Sequence, residues 1–423
     1  MNQQLSLIEM FSKKHDGNTN NKAARPYHLG LILVSVALFT IGFVIVTSAS
    51  MPIAERLHDN PYYFSIRHAI YISIAVVAAI ITLSLPMAFW RFSNPYLLLL
   101  ALALLVLVLL IGRNVNGSTR WLVIGPITVQ AAEPAKLFFF LYLAGYLVRR
   151  YEQVKENLKG FFKPLLVFFL FAGLLLLQPD LGTVIVMFAT TIALLFLAGA
   201  RLWQFFAIIF TGLAAFVVLI IYSDYRRKRI TGFWDPFADP FGSGYQLTQS
   251  LMAYGRGSWL GQGLGNSLQK LEFLPEAHTD FIMAILAEEL GYIGVLIVLL
   301  LVFYVILTAL KLGNLALSNH RPFEAFTSYA IGLWFCLQTF VNIGASTGLL
   351  PTKGLTLPLI SYGGSSMIIM SVAMAILIRI DFEMRIHGIQ ALSGNKSARK
   401  KSSKKTTKKP SVRESKAEES SLG

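Results

Sequence analysis

The sequence predicts an all-α polytopic membrane protein with about ten transmembrane helices, and three observations carry that prediction. Hydrophobic residues make up 55% of the 423-residue chain, charged residues only 14%, and mean hydropathy is +0.60. Apolar runs recur along nearly the whole chain, many of them close to the roughly 20 residues that cross a bilayer at about 1.5 Å per residue. The runs are continuous rather than alternating. In hydrocarbon only helices or closed barrels satisfy the backbone, so continuous runs mean helices. A soluble globular enzyme is excluded by the same composition.

The first run, 28–48, follows a long polar flank with no small-residue cleavage site, which predicts a retained span rather than a cleaved signal peptide. Runs at 69–86 and 95–111 come next. Those at 134–147 and 164–177 are short, and Gln178-Pro-Asp180 makes a hairpin before the run at 181–198. A run at 203–222 leads into a large loop, 223–280, and the last three runs lie at 281–310, 326–345 and 365–380. The chain therefore divides into an N-terminal tail (1–27), a membrane domain (28–385) and a basic C-terminal tail (386–423). That tail is rich in Lys, Ser and Thr, has almost no aromatic residues, and is predicted to be disordered.

Lys and Arg set the expected orientation. They cluster in the N-terminal flank (Lys13, Lys14, Lys22, Arg25), after the fourth run (Arg149, Arg150, Lys155, Lys159, Lys163) and in the tail (Lys400, Lys401, Lys404, Lys405, Lys408, Lys409). An even number of spans puts all three on one side, which the positive-inside rule makes cytoplasmic. The large loop then lies outside, together with Arg226-Arg-Lys-Arg229, a basic run that long loops tolerate. The formal charge of +15 is mostly a tail effect. A nucleic-acid partner is not expected, because no aromatic platform accompanies the basic run. Anionic inner-leaflet lipids or a cytoplasmic partner fit it better. The single cysteine, Cys336, rules out an intrachain disulfide.

Special residues concentrate on the expected outer face. They comprise Asn116-Gly-Ser-Thr-Arg120-Trp121, Glu133-Pro-Ala-Lys136, Gln178-Pro-Asp180-Leu-Gly182, Gly244-Tyr-Gln-Leu-Thr-Gln249 and Leu274-Pro-Glu-Ala-His-Thr-Asp280. The last outer loop reads Gly348-Leu-Leu-Pro-Thr-Lys353-Gly and then Leu357-Pro-Leu-Ile-Ser-Tyr-Gly-Gly-Ser-Ser366. Asp280 stands where lipid gives way to water, a costly place for an acid without a role. Gly261-Gln-Gly-Leu-Gly265 is no nucleotide loop, since no strand precedes it. His278 with Asp280 lacks the further His or Cys that a metal set needs.

Taken together and in this order, these motifs resemble the SEDS family of bacterial cell-wall polymerases (shape, elongation, division and sporulation proteins). The resemblance covers roughly 28–385. Ala277, where the elongation branch usually has Arg, and the long basic tail point to the division branch of a Gram-negative bacterium. The resemblance implies a glycosyltransferase in the bacterial inner membrane, at the division septum. It would polymerise lipid II, a disaccharide-pentapeptide on undecaprenyl pyrophosphate, into glycan strands on the periplasmic face. It further implies a class B penicillin-binding transpeptidase and other septal membrane proteins as partners, and Asp280 as the catalytic aspartate.

The chemistry fits the residues independently. Going from an α-linked pyrophosphate to a β-1,4 bond inverts the anomeric centre, so one carboxylate base suffices. A helix N-cap explains Asp280 equally well from the residue pattern alone. A pyrophosphate leaving group calls for cations, and Lys353, Lys136, Arg120, Arg256 and Lys270 are the candidates. Glu133, three residues before Lys136, pairs with it on one helix face. Structural or regulatory roles are expected for Glu133, Asp180, Glu288, Glu289, Ser361, Gly363 and Gly364, with Asp180 either capping the sixth helix or facing a cavity. Glu288 and Glu289 are rotated roughly 80° and 180° from Asp280, so they cannot share its face. Gln338, Asn342 and Ser346 form a polar stripe that either lines a cavity or bonds helix to helix. No cofactor is expected, although the pyrophosphate leaves room for a loosely held divalent cation. The competing classes are a lipid II flippase, expected to show broken helices at the bilayer midplane, and the elongation-type polymerase.

Overall fold

The computed structural model describes residues 27–115, 118–124, 127–222, 233–351 and 354–405. The membrane body is helical, and every predicted apolar run falls on a helix. In chain order these are α1 (Leu29–His58), α2 (Tyr63–Ser84), α3 (Met87–Ile111), α4 (Ala132–Arg149), the short α5 (Tyr151–Glu156), α6 (Leu158–Leu177), α7 (Leu181–Leu197) and α8 (Leu202–Ile221). After the large loop come α10 (Ile282–Ser318), α11 (Pro322–Ser346) and α12 (Gly364–Lys405), with α9 (Tyr245–Gly257) inside that loop. Among the described residues 7 helices are long and apolar enough to cross a membrane. Leu181–Leu197 is apolar but shorter.

Three features depart from the sequence reading. The all-α expectation misses a small antiparallel sheet, order β1-β2-β3, between α3 and α4: β1 (Arg113–Val115), β2 (Ser118–Ile124) and β3 (Ile127–Gln130). Its strands are rich in Val, Ile, Thr and Trp, residues that suit a pleated surface. The large loop holds α9, whose buried Leu247, Ser250, Ala253, Tyr254 and Gly257 follow a helical period. The tail, expected to be disordered from 386, continues as helix to Lys405, through residues such as Gln390, Ala391, Ala398 and Arg399 that favour helix and with no proline before Pro410.

Burial sorts the helices into layers. The apolar windows of α1, α2 and α3 are 28%, 22% and 28% buried, whereas those of α11 and α12 are 72% buried. The outer helices expose Leu33, Ile80 and Phe92, a surface that water would not tolerate and lipid does. α11 lies at the centre, packing against α10, α7, α4 and α9. Small residues let it approach α10: a Cβ on Gly313 would come within 2.5 Å of the Tyr329 ring, and one on Gly332 within 2.9 Å of Ala309.

α10 is not one helix. Gly291 has φ 68 and ψ −170, which splits it after nine residues, Ile282 through Leu290. The loop after α9 fills the break: Gln262 and Gly263 N–H donate to the Glu288 and Glu289 carbonyls at 2.9 and 3.0 Å. In return, Tyr292 and Ile293 N–H donate to the Ser258 and Trp259 carbonyls at 2.9 and 3.3 Å. Two carbonyls and two amides that an unbroken helix would pair with each other are thereby satisfied. The glycine-rich stretch that begins at Gly261 belongs to this plug, and a Cβ on Gly261 would sit 2.1 Å from the Glu289 carbonyl oxygen.

Candidate active site

The two motifs expected on the outer face, far apart in sequence, meet beside α11. Leu274 to Asp280 runs as successive turns, with Glu276 in the left-handed region (φ 56). Glu276 accepts Phe281 N–H and Thr279 N–H, both at 3.2 Å, while its carboxylate accepts the Thr279 hydroxyl at 2.7 Å. Asp280 emerges half-buried two residues before α10 begins. The N-cap position is Phe281, and no side chain caps it. By that boundary Asp280 stands one residue ahead of the N-cap position.

The polar stripe of α11 hydrogen-bonds to the segments packed around it. Asn342 Nδ2 donates to the Asp280 carbonyl at 2.9 Å and to the Leu355 carbonyl at 2.6 Å. One turn earlier, Gln338 Nε2 donates to the Thr356 carbonyl at 2.9 Å. One turn later, the Ser346 carbonyl accepts the Ser250 hydroxyl of α9 at 2.6 Å, and Ser346 Oγ pairs with the Tyr254 hydroxyl at 3.1 Å. Burial pushes the Tyr254 hydroxyl pKa up to about 12, so it is neutral. The loop at Gly354 reaches the candidate base directly: a Cβ there would meet Asp280 Oδ2 at 2.8 Å. Lys353 is its chain neighbour and lies outside the described residues, as do Arg226, Arg227 and Arg229.

The second motif closes over the first. Tyr362 N–H donates to the His278 carbonyl at 3.1 Å, and Leu357 N–H to Ser361 Oγ at 2.8 Å. Gly364 lets Tyr71 of α2 pack where a Cβ would stand 2.6 Å from its ring, and Gly363 faces Thr356 at 3.1 Å in the same sense. Ser365 Oγ accepts Gln130 N–H at 2.9 Å, tying β3 to the start of α12. The His278 ring is buried between Phe64 and Tyr362, with centroids 5.0 and 5.5 Å away. Burial lowers its pKa, against a smaller raising effect of Glu276. Burial also pushes the Tyr362 hydroxyl up to about 12.

The remaining candidates form separate clusters. Lys136 Nζ, fully buried, donates to Glu133 Oε1 at 2.9 Å and Gln338 Oε1 at 3.0 Å, and lies 5.2 Å from the Trp334 ring centroid. The pair predicted on one helix face thus joins the stripe through Gln338. Arg120 of β2 donates to the Gln178 carbonyl at 2.9 Å and to that of Pro179, holding the hairpin between α6 and α7. Asp180 caps α7, accepting Thr183 N–H at 3.3 Å and the Thr183 hydroxyl at 2.8 Å.

Glu288 and Glu289, both buried, sit at the foot of the α10 break. Glu288 accepts Arg256 at 2.7 Å, the Ser267 hydroxyl, and the N–H groups of Leu268 and Gln269 at 3.0 and 3.3 Å. Glu289 accepts Lys270 Nζ at 2.8 Å and Ser48 Oγ of α1 at 2.7 Å. The acids point apart, as their rotation requires, and each finds a cation beside the plug, Arg256 at the end of α9 and Lys270 further along the loop. Sequence reasoning had no pairing for Ser48 or Ser267. The break did leave a signal, a glycine directly after two acids in an apolar run. Among the described residues no group of three or more His, Cys, Asp or Glu is placed to hold a metal ion.

Comparison with known proteins places this arrangement. The family profile of FtsW, RodA and SpoVE, described as cell cycle proteins, matches residues 29–386. A probable peptidoglycan glycosyltransferase FtsW of Alteromonas naphthalenivorans is 69% identical over 93% of this chain and 76% of its own length. The corresponding protein of Escherichia coli O6:H1 is 55% identical over 86% of this chain and 88% of its own. Among solved structures, one of a peptidoglycan synthase complex that coordinates polymerization and crosslinking matches at TM-score 0.67 and 26% identity, over 86% of this chain and 99% of that one. The rod shape determining protein RodA of Thermus thermophilus matches at TM-score 0.62 and 26% identity, over 86% and 98%. A profile match across nearly the whole membrane body, with relatives this close, makes the chain a member of the SEDS family of FtsW/RodA-like peptidoglycan polymerases.

Proposed function

We propose that the protein polymerises lipid II into glycan strands on the periplasmic face during septal wall synthesis, with Asp280 as general base. The observation that carries this reading is Asp280 itself, half-buried at the junction of the two outer motifs, with its backbone held by Asn342 and its carboxylate against Gly354. The acceptor sugar's 4-hydroxyl gives its proton to the Asp280 carboxylate as its oxygen bonds to the anomeric carbon of the donor. The bond from that carbon to the pyrophosphate oxygen breaks, and undecaprenyl pyrophosphate leaves with the electron pair. Inversion follows from attack opposite the leaving group.

Of the candidate cations, Lys353 is best placed by chain connectivity to meet the pyrophosphate charge, one residue from Gly354. Arg120, Lys136, Arg256 and Lys270 have partners within the protein, which favours structural roles or an exchange of partners when substrate arrives. The orientation that goes with this reading keeps both tails cytoplasmic and the loop 223–280 periplasmic. A class B transpeptidase as partner is supported by the likeness to a synthase complex that couples polymerization with crosslinking.

The test is polymerisation of lipid II by the full chain, with and without the transpeptidase. Asp280→Asn is expected to abolish product while leaving folding intact; undiminished polymer would remove Asp280 from the mechanism. The broken α10 favours a second reading, a lipid II carrier, because transporters use such helices. Lipid II scrambling in vesicles without any polymer would support it.

A further inference from the structure

Resting on the reading of Asp280 as base, we propose that Asn342 is a positioning residue that sets the reach of its carboxylate across the two outer motifs. Asn342 is 1% exposed on the central helix α11. Its single amide nitrogen donates to the Asp280 carbonyl, 62 residues away in sequence, and to the Leu355 carbonyl, 13 residues away. Two carbonyls demand donors, so the network dictates which way the amide points.

Among the described residues, Asn342 Oδ1 at the other end of the amide is buried and accepts no hydrogen bond. The two donated bonds join the Asp280 and Leu355 carbonyls, alongside the Tyr362-to-His278 bond between the same motifs. Leu355 directly follows Gly354, the residue whose missing Cβ lets the loop come close to Asp280 Oδ2. Fixing the Leu355 and Asp280 carbonyls to one nitrogen therefore fixes the spacing between carboxylate and loop. Gln338 and Ser346, one turn away on either side, anchor Thr356 and α9, so the bridge rests on a rigid element. A base misplaced by about 1 Å loses much of its advantage.

The experiment compares the native chain with Asn342→Asp and Asn342→Leu, using lipid II as substrate across pH, with Asp280→Asn as control. Asn342→Asp keeps the shape but replaces both donated bonds by a carboxylate facing two carbonyls. Expected are at least a tenfold fall in kcat for both variants, KM within threefold of native, a displaced acid limb in the rate's pH profile, and cooperative thermal unfolding. A purely structural role would lower the folded fraction and leave the kcat of the folded protein and the acid limb unmoved. Native kcat in both variants, with Asp280→Asn inactive, overturns the positioning role. An active Asp280→Asn overturns the base reading itself, whatever the Asn342 variants do.

Discussion

At the residue scale, the two ion pairs beside the α10 break should not be equally important. Lys270 and Glu289 are 8% and 0% exposed, so removing the cation strands a carboxylate in the interior. Breaking a buried pair in this way costs about 3–5 kcal/mol. Arg256, 37% exposed, is screened by solvent, and Glu288 keeps three other donors without it. Lys270→Met should therefore lower the thermal unfolding midpoint in detergent clearly more than Arg256→Met. Glu289→Gln added to Lys270→Met should recover part of the loss, because it removes the stranded charge. Equal effects of the two single variants would contradict this ranking.

Titration of His278 belongs to the same scale. Burial depresses its folded-state pKa below the usual 6.5, so between the two values the unfolded chain binds more protons than the folded one. Stability from this group is complete above about pH 6.5 and is lost as pH falls from there towards the folded value. Unfolding midpoints measured from pH 7.5 down to 5.5 should fall, and His278→Gln should flatten that fall. An unchanged slope in the variant would show that other groups carry it.

At the scale of elements, the broken helix is the decisive feature. Gly291 adopts a backbone conformation that suits glycine alone, and a Cβ there would lie 2.4 Å from the Trp259 carbonyl oxygen. Strain of this kind costs on the order of 1–3 kcal/mol before the clash is counted. Gly291→Ala should destabilise the protein by at least that much, and should free the loop 258–263 for proteolysis in proportion. Gly255 is the natural control, since a Cβ there meets nothing within 4 Å. The nine-residue segment before the break carries both buried acids at its foot and follows Asp280 at its head, so the plug and the candidate base share one short rod.

At the scale of the whole molecule, composition and periodicity made the helical membrane body legible, because transfer into lipid depends on the local content of apolar side chains and needs no knowledge of neighbours. Motif order made the family legible, and an acid at a membrane boundary marked Asp280. The small sheet and α9 were obscured because each is short and lies in a stretch read as loop. Glu133 and Lys136 could be paired in advance, being three residues apart on one helix, whereas Ser48 and Glu289 are 241 residues apart and could not.

The sequence by itself determined the solvent, the runs that become helices, and the two motifs that carry the proposed chemistry. Only the tertiary structure decided that Asp280 stands beside Gly354, that α10 breaks at Gly291, and that Asn342 joins the motifs. The reason is physical. Hydrophobicity is summed along the chain, but hydrogen bonds and ion pairs act over about 3 Å and exist only once packing has brought distant segments together.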